Sequence, residues 1–361
     1  MKKERIFIWG TGKNERTIRE KFEGLMTEVE IIGYIDNNQN KHNTEYNGHL
    51  IYSPQEAIKE TFDKIIIFST FFEEIEEQLI DELSVPRNKI DNYCYFTKKR
   101  IINRYRGTDD LELKQIVDFI DGYRLEVFNY PYIEKYHGLD PEVFYDEQAK
   151  MFFVMHHSKK MYFNTSFKTK KEVKFYYRFL LIEQDKESPH RYLADDFDVR
   201  EGDIVVDAGA AEGNFSLDII EKVSKLYIIE SDEGWIEALR HTFADYLDKI
   251  IIVPKMLTDF DGPETTKLDS VLSEADFIKM DIEGCELESL RAMENLIKRS
   301  EHIRLAVCCY HRDNDEQLIQ KLLEDYGLHT KYVDGYMWSP IGDDQKYYNP
   351  KLRHGVIRAW K

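Results

Sequence analysis

The stretch Ile204–Ser216 constrains the fold of this chain more than any other, and it reads Ile-Val-Val-Asp-Ala-Gly-Ala-Ala-Glu-Gly-Asn-Phe-Ser. The β-branched residues at its start predict a strand that is buried on both faces, as in parallel sheets. Gly209 and Gly213 then permit a turn in which the backbone can approach a ligand closely. Asn214 is the predicted N-cap of an apolar-periodic helix over residues 215–223. The stretch therefore predicts a strand, a glycine turn and a helix, the arrangement of a nucleotide-cofactor loop.

A second strand, predicted over residues 225–230, ends in an acidic residue about 20 residues downstream of the turn. A carboxylate at the end of that strand, Glu230, is placed to accept hydrogen bonds from the two hydroxyls of a ribose. The spacing Asp-x-Gly-x-x-x-Gly, which starts at Asp207, fits S-adenosylmethionine enzymes better than dinucleotide binders. A ligand-free strand–helix turn is the alternative, and the position of Glu230 argues against it.

The rest of the chain after Glu230 alternates between helical and strand patterns. With the two strands above it predicts a seven-stranded sheet, the last pair forming a hairpin. The further strands are predicted over residues 249–253, 276–280, 302–309, 329–333 and 354–360. In open α/β sheets, ligands bind at the carboxyl ends of the strands. Asp207, Glu230, Asp281, Glu283 and His311 all fall at such ends, which predicts a single site.

The first 100 residues predict a smaller doubly wound, Rossmann-like domain. A strand over residues 5–10 leads into Gly10 and Gly12, and Asp36 follows the next strand at the position that meets a ribose in dinucleotide binders. Glu15 stands where the third glycine of the dinucleotide fingerprint belongs. This segment resembles the nucleotide-sugar-binding domains attached to bacterial sugar-modifying enzymes. Binding of a sugar nucleotide and a structural or docking role are both open for it.

The segment between these two parts is predicted to contain helices and a β-hairpin, which gives domains over residues 1–100, 101–195 and 196–361. It is rich in aromatic side chains, which could form a sugar-stacking wall or pack between domains. The polar run over residues 183–192 is interpreted as a lid over the site in preference to a solvated linker. His156 and His157 are adjacent and cannot share a strand face, so a two-histidine metal site is not expected.

The candidate chemistry is proton removal from a hydroxyl nucleophile next to the cofactor. His311 is the predicted general base, because the unperturbed pKa of histidine, ~6.5, suits a base at neutral pH. Asp281 is the alternative base or a group that orients His311. Asp281 and Glu283 beside a histidine also form a set that could hold a divalent cation. The favoured prediction is nonetheless a site without a metal.

Composition and charge limit the classes of partner. A net charge of -18 argues against nucleic acid or an anionic membrane as the main partner. No apolar run reaches the ~18 residues that a membrane span requires, and no signal peptide opens the sequence. The cysteines show no metal-ligand or redox spacing, and Cys308 and Cys309 are predicted to fill the core. We therefore expect a reduced, cytoplasmic protein, with a second copy of the chain left open as a partner.

Several motifs together resemble the FkbM family of S-adenosylmethionine-dependent methyltransferases. They lie in residues 205–216, 226–233, 267–272, 278–290 and 305–313, with the run 183–192 just upstream. The most specific is Asp-Ile-Glu-Gly from Asp281, followed by Glu-Leu. The resemblance covers about residues 175–361 and implies O-methylation of a sugar or polyketide hydroxyl.

The resemblance also implies roles for residues at the strand ends. Asp281, Glu283 and His311 would face the methyl acceptor. The cofactor would lie against Asp207, Gly209, Ala210, Glu212, Gly213, Glu230, Ser231 and Asp281. The resulting prediction is a class I methyltransferase fold that methylates a sugar or glycoconjugate precursor in bacterial surface-polysaccharide synthesis. The alternatives are a non-catalytic scaffold that binds cofactor and nucleotide sugar, and an NAD-dependent oxidoreductase that uses Gly10, Gly12 and Asp36.

Overall fold

The computed structural model describes residues 3–340 and 345–361, with only the backbone of residues 345 and 346. It divides into two compact units. The first contains the residues up to Pro131 together with 345–352, and the second contains Tyr132–Ser339 and Arg353–Lys361. These boundaries differ from the predicted ones near residues 100 and 195. The helices that follow the first sheet stay with it, and the predicted hairpin segment belongs to the second unit.

The first unit is built on a six-stranded sheet in the order β3-β4-β2-β1-β5-β6, parallel except for the β3–β4 pair. Its strands are β1 Arg5–Trp9, β2 Glu30–Ile35, β3 Glu45–Tyr46, β4 His49–Tyr52, β5 Lys64–Ile67 and β6 Ile90–Asn92. Its helices are α1 Lys13–Met26, α2 Pro54–Ala57, α3 Phe72–Glu77, α4 Tyr95–Tyr105, α5 Leu111–Gly122 and a single turn at Gln345–Tyr348. The predicted smaller Rossmann-like domain is therefore confirmed.

The turn from β1 into α1 shows how the incomplete glycine fingerprint is accommodated. Gly10 has a φ of +124°, and a Cβ there would lie 2.9 Å from the carbonyl oxygen of Phe68. Glu15, at the position of the missing third glycine, is buried and accepts a hydrogen bond from the Tyr46 hydroxyl at 2.6 Å. Its carboxylate also lies 3.3 Å from the guanidinium of Arg19. Glu15 therefore has a structural role, since its buried carboxylate contacts Tyr46 and Arg19.

The second unit contains a seven-stranded sheet in the order β12-β11-β10-β15-β16-β18-β17. All neighbours in it are parallel except β18, which runs antiparallel to both β16 and β17. Its strands are β10 Ile204–Ala208, β11 Lys225–Glu230, β12 Ile250–Pro254, β15 Phe277–Met280, β16 Arg304–Cys308, β17 His329–Tyr332 and β18 Val356–Trp360. The predicted seven strands and the antiparallel last pair are confirmed.

The other elements of this unit cover the sheet or precede it. Its helices are α6 Lys170–Glu183, α7 Asn214–Ile219, α8 Glu233–Thr242, α9 Glu286–Ala292, α10 Glu294–Arg299 and α11 Asp315–Asp325. A meander before the sheet consists of β7 Phe144–Asp146, β8 Met151–His156 and β9 Lys159–Tyr162. The short pair β13 Met256–Leu257 and β14 Thr265–Thr266 follows β12. In the described parts of the chain, none of the helices is both long and apolar enough to cross a bilayer.

The central strands of the sheet are buried on both faces, as their β-branched sequences predict. Every residue of β15 and β16 is buried, and so is most of β10. Cys308 and Cys309 have no solvent-exposed surface, which confirms their predicted place in the core. The predicted fold class, a seven-stranded Rossmann-like sheet preceded by a smaller doubly wound domain, is confirmed.

Two helix boundaries differ from the prediction for local reasons. Gly213, in the left-handed region at φ +80°, is the N-cap of α7, and Asn214 is the first helical residue. The Asn214 side chain accepts from the backbone N–H of Phe215 instead of capping the helix from outside. The sequence of residues 287–297 predicts one helix, but the structure interrupts it at Met293, whose side chain is fully buried. Packing therefore divides it into α9 and α10.

Candidate active site

The glycine loop after β10 lies directly on the end of β15. Gly209 has a φ of +72°, and a Cβ there would lie 1.8 Å from the carbonyl oxygen of Asp281. A Cβ on Gly213 would lie 2.7 Å from the side chain of Leu239. Only glycine permits this backbone path at both positions. The loop therefore brings its backbone against the residue at the carboxyl end of the neighbouring strand.

Glu230 ends β11 with its carboxylate fixed by backbone N–H groups. One oxygen accepts from the N–H of Ser231 at 2.7 Å and of Asp232 at 2.8 Å. The other accepts from the N–H of Ala211, in the glycine loop, at 2.9 Å. A carboxylate oxygen can accept more than one hydrogen bond, so both retain capacity for a ligand diol. The side chain is thus preorganised at the position that the sequence predicted for ribose recognition.

Asp207 lies beneath the loop and contacts protein groups. Its carboxylate lies 3.1 Å from the ammonium of Lys279 and accepts from the Ser216 hydroxyl at 2.7 Å. Lys279 also donates to the carbonyl oxygen of Gly209. Both Asp207 and Lys279 are buried, and the negative carboxylate raises the pKa of the lysine despite its burial. The pair therefore ties β10, β15 and the loop together, and Asp207 supports the predicted cofactor loop from inside.

Glu212 in the same loop is also turned inward. It is buried, and its carboxylate accepts a hydrogen bond from the Tyr176 hydroxyl of α6 at 2.9 Å. Burial raises its pKa to about 7. Ala210 is buried as well, whereas Ser231 is exposed beside Glu230. Of the predicted cofactor residues, Gly209, Glu230, Ser231 and Asp281 are at least partly exposed to solvent.

Asp281, directly after β15, is the centre of a cluster of polar side chains. One of its oxygens accepts from the Tyr192 hydroxyl at 2.9 Å and lies 3.8 Å from Nε2 of His190. The other oxygen lies 3.5 Å from Nε2 of His311. Burial raises the pKa of Asp281, but the two histidines, Lys279 and the Tyr192 hydrogen bond together lower it to about 2. The carboxylate is therefore ionised throughout the physiological range.

Each of the two histidines is held by a carboxylate of its own. Nδ1 of His311 lies 2.9 Å from Oε1 of Glu286, and Nδ1 of His190 lies 2.8 Å from Oε1 of Glu183. Such a contact fixes the ring orientation and leaves Nε2 toward Asp281. Burial lowers the pKa of His311, but Glu286, Asp281 and Glu283 raise it to about 8. The cluster thus consists of two histidine–carboxylate pairs on either side of one aspartate.

Glu283 occupies the rim of this cluster. Its side chain is 73% exposed, and a carboxylate oxygen lies 3.8 Å from Nε2 of His311. Its φ of +56° is in the left-handed region, which is uncommon for a residue with a side chain. This backbone conformation is part of the turn that carries the chain from Asp281 to α9. The structure therefore brings the predicted Asp281, Glu283 and His311 together, with Glu283 toward solvent.

The sequence missed several members of the cluster. Glu183, His190 and Tyr192 lie in the polar run that was interpreted as a lid. His190 and Tyr192 are buried and the Tyr192 hydroxyl donates to Asp281, so this part of the run lies against the site and is not a solvated linker; its action as a lid stays a prediction. Glu286 is the glutamate of the Glu-Leu pair that follows the Asp-Ile-Glu-Gly motif, and no role was predicted for it. Glu286 opens the helix that follows the predicted Asp281. A glutamate at that position is the sequence signal that could have identified it as a member of the cluster.

Two overlapping sets of donor atoms in the cluster could hold a cation. They are Asp281, Glu286 and His311, and His190, Asp281 and Cys308, with the ligand atoms of each set within 4.8 Å of one another. Oxygen and imidazole ligands of the first set suit a divalent cation. The Lys279 ammonium and both histidines already balance the charge of Asp281. A metal-free site stays a prediction.

Comparison with known proteins finds a family model that matches part of each unit. Residues 154–328 match the model of the methyltransferase FkbM domain, and residues 2–91 match that of the C2185-like N-terminal domain. A probable ribosomal RNA small subunit methyltransferase A of Methanococcoides burtonii is 30% identical over 90 residues, 25% of this chain and 32% of that protein. The chain thus spans about a third of the length of this curated relative.

Solved structures with similarity to this chain include methyltransferases. Methyltransferase FkbM from Methylobacillus flagellatus has a TM-score of 0.45 at 17% identity, covering 100% of this chain and 90% of that one. Precorrin-6y C5,15-methyltransferase from Geobacter metallireducens has a TM-score of 0.33 at 17% identity, covering 45% of this chain and 81% of that one.

Proposed function

Because residues 154–328 match the model of the methyltransferase FkbM domain, we propose that the chain transfers a methyl group from S-adenosylmethionine to a hydroxyl of a sugar or glycoconjugate precursor. The observation that supports this reaction most strongly is Asp281 between two histidine–carboxylate pairs, beside the glycine loop. Bacterial surface-polysaccharide synthesis in the cytoplasm is the setting that such an acceptor suggests.

The cofactor fits the residues of the loop and of the strand end. Gly209 lets the loop backbone pack against the end of β15, and Glu230 is held with acceptor capacity for the two ribose hydroxyls. When bound, S-adenosylmethionine supplies an activated methyl group with its leaving group already attached. The protein then has to orient the acceptor and remove its proton. Asp207 and Glu212 act indirectly in this proposal, by holding the loop.

His311 is the proposed general base. Its Nδ1 is held by Glu286, so Nε2 is the nitrogen that accepts the proton of the acceptor hydroxyl. With the cofactor bound, Nε2 would take up the proton of the acceptor hydroxyl, and the cofactor would supply the methyl group and carry away its sulfur as the leaving group. The ionised Asp281 stabilises the imidazolium that results, and Tyr192 holds Asp281 in position. Glu283, at the rim, is placed to contact the acceptor.

Glu230→Ala should weaken S-adenosylmethionine binding about 100-fold, because hydrogen bonds from two hydroxyls to a charged acceptor would be lost, together worth roughly 3 kcal/mol. Isothermal titration of the purified full chain measures the change. Glu233→Ala is the matched control, since Glu233 is an exposed acid three residues away in the first turn of α8. Equal affinity in the Glu230 and Glu233 variants would contradict the proposed ribose contact.

Glu286→Gln should lower the pKa of His311 from about 8 toward the ordinary value of histidine, because it removes the adjacent negative charge. The folded-state pKa is raised, so the protonated ring stabilises the fold fully below pH ~6.5 and loses this contribution as the pH rises through 8. NMR titration of the histidine ring nitrogens measures the shift without an acceptor. Glu288→Gln on the same helix is the control, and an unchanged His311 titration in Glu286→Gln would contradict the pairing.

The acceptor is identified by incubating the chain with methyl-labelled S-adenosylmethionine and a panel of nucleotide sugars. The product should gain the mass of one CH₂ and show a methoxy carbon by NMR. Cofactor binding without any labelled product would favour the non-catalytic scaffold. Labelled RNA would contradict the prediction, made from the charge of -18, that nucleic acid is not a partner.

The oxidoreductase alternative requires the first unit to bind a dinucleotide through Asp36. The existing contacts of Asp36 do not favour this. The Asp36 carboxylate, which would bind the ribose of a dinucleotide, already lies 2.8 Å from the ammonium of Lys41. It also accepts hydrogen bonds from the Thr11 hydroxyl and, at 2.8 Å, from the N–H of Asn38. A ribose would have to displace part of this network. Nucleotide-sugar binding by the first unit remains a proposal that the same titration can test with a nucleotide sugar alone.

A further inference from the structure

A group of metal-ligating side chains lies outside the proposed active site, at the end of the β8–β9 hairpin. Nε2 of His156 lies 3.0 Å from Oδ1 of Asp218, and Nε2 of His157 lies 3.5 Å from the same oxygen. The three ligand atoms lie within 4.8 Å of one another. The two imidazoles thus lie beside the same carboxylate, although adjacent residues of a strand point to opposite faces.

The geometry of the hairpin turn explains this arrangement. The alternation of side chains between faces ends with β8 at His156, and His157 and Ser158 form a two-residue turn with positive φ at both positions, +46° and +66°. Asn-Gly is the preferred sequence for such a turn. The turn folds the second imidazole back beside the first, with ring centroids 4.4 Å apart. Both rings therefore face Asp218 of α7.

We propose that His156, His157 and Asp218 form a zinc site. A tetrahedral zinc ion with ligand bonds of about 2.0–2.1 Å separates its ligand atoms by about 3.3 Å, close to the contacts of 3.0 and 3.5 Å. Two imidazoles and a carboxylate are zinc ligands, and the 70% exposed His157 leaves a fourth position for water. Two of the three separations between ligand atoms are therefore close to those around a bound zinc ion.

The surroundings of His156 also fit a metal ligand. Its side chain is only 7% exposed, and its Nδ1 lies 3.1 Å from the Tyr177 hydroxyl of α6. A histidine that binds a metal through one ring nitrogen usually donates from the other to an oxygen, which fixes its tautomer. Here Nε2 faces Asp218 and Nδ1 faces the tyrosine oxygen. The Tyr177 hydroxyl is thus in position to accept a hydrogen bond from Nδ1 of His156 when Nε2 binds the metal.

The ion would join three elements around the cofactor loop. His156 and His157 lie at the hairpin, Tyr177 lies on α6, and Asp218 lies on α7, the helix that starts directly after Gly213. The preceding residue of α6, Tyr176, holds Glu212 of the loop. Zinc would therefore fix the hairpin to α7 and stabilise the loop from its outer side, a role independent of methyl transfer.

The test is a titration of the chelator-treated full chain with Zn²⁺, together with Co²⁺ as a spectroscopic substitute. We expect one zinc equivalent to bind in the wild type, a visible absorption band typical of four-coordinate Co²⁺, and a rise in Tm with added zinc. His157→Ala and Asp218→Asn should each weaken zinc binding at least about 10-fold. Both side chains are exposed or partly exposed, so the fold should survive their replacement. His302→Ala, an exposed histidine elsewhere in the same unit, should bind zinc like the wild type.

The proposal is overturned by a wild type that binds no stoichiometric zinc, or by equal binding in both ligand variants. It is also overturned by binding that persists in these variants and disappears in His311→Ala, because that would place the ion at Asp281, Glu286 and His311. Tm measured without metal identifies any variant that is simply less stable.

Discussion

If the proposed reaction is right, His311→Ala should lower kcat for methyl transfer about 10³-fold, while the affinity for S-adenosylmethionine should stay within about 3-fold of the wild type. General-base catalysis by a positioned side chain contributes about 10²–10⁴-fold, and His311 has the fixed geometry that such a role requires. Its Nδ1 is tied to Glu286 at 2.9 Å and its Nε2 faces Asp281. Steady-state kinetics with the acceptor found in the nucleotide-sugar screen measure the first change, and isothermal titration measures the second.

The pH profile decides whether His311 or Asp281 is the base. A histidine base with a pKa of about 8 gives activity that rises with pH up to about 8, because the ring must be neutral to accept a proton. An Asp281 base with a pKa of about 2 gives no such rise near neutral pH. A carboxylate with so low a pKa is also a weak proton acceptor. An orienting and charge-stabilising role for Asp281 follows from these values.

His190 is the sharpest comparison for this prediction, since it has the same kind of carboxylate partner and also faces Asp281. It is 1% exposed and lies 3.4 Å from the sulfur of Cys308. We expect His190→Gln to reduce kcat less than His311→Ala and to keep the rise of activity with pH. Loss of that rise in His190→Gln, with retention in His311→Ala, would move the base to His190. Equal losses of kcat and cofactor affinity in His311→Ala would remove its catalytic role.

The grouping of residues at the strand ends could be predicted from the sequence, because a parallel sheet places the carboxyl ends of its strands at one edge. Once β10, β11, β15 and β16 are recognised as buried strands, their carboxyl ends must meet at one edge, and the residues that follow them must lie close together. This argument predicts that Glu230, Asp281 and His311 lie at the same edge, and the spacing of Glu230 from the glycine turn supports it. It requires only the hydrophobic pattern of each strand and the order in which the strands alternate with helices.

The partners of these residues could not be predicted in the same way, because they come from elements whose packing is non-local. Glu183 and His190 precede the sheet in sequence, and the pattern of their segment does not specify which way it folds back. Lys279 was different, since a lysine within the buried strand Phe277–Met280 must have a negative partner. That pattern could have indicated a buried partner such as Asp207, but Asp207 was predicted to bind the cofactor instead. The alternation rule failed at His157 because a tight turn had already ended the strand.

Lys279→Met should destabilise the second unit by about 3–5 kcal/mol, because removal of one partner leaves the buried carboxylate of Asp207 without its counter-charge. Lys279 also donates to the Gly209 carbonyl and lies 5.3 Å from the ring of Tyr192, so the change loosens the cofactor loop as well. Urea denaturation followed by circular dichroism measures the free energy of unfolding. We expect cofactor binding to weaken in parallel, although the side chain lies beneath the loop.

The double variant Asp207→Asn with Lys279→Met separates the charge effect from the loss of packing. It should recover a large part of the lost stability, because neither buried charge remains. Lys298→Met is the matched control: its ion pair with Glu294 is exposed, and its loss should change stability by no more than about 0.5 kcal/mol. A double variant as unstable as Lys279→Met would show that shape and the Gly209 contact, and not charge compensation, hold the loop. In that case Asp207 would be available to the cofactor, and its removal alone would have to lower affinity without lowering stability.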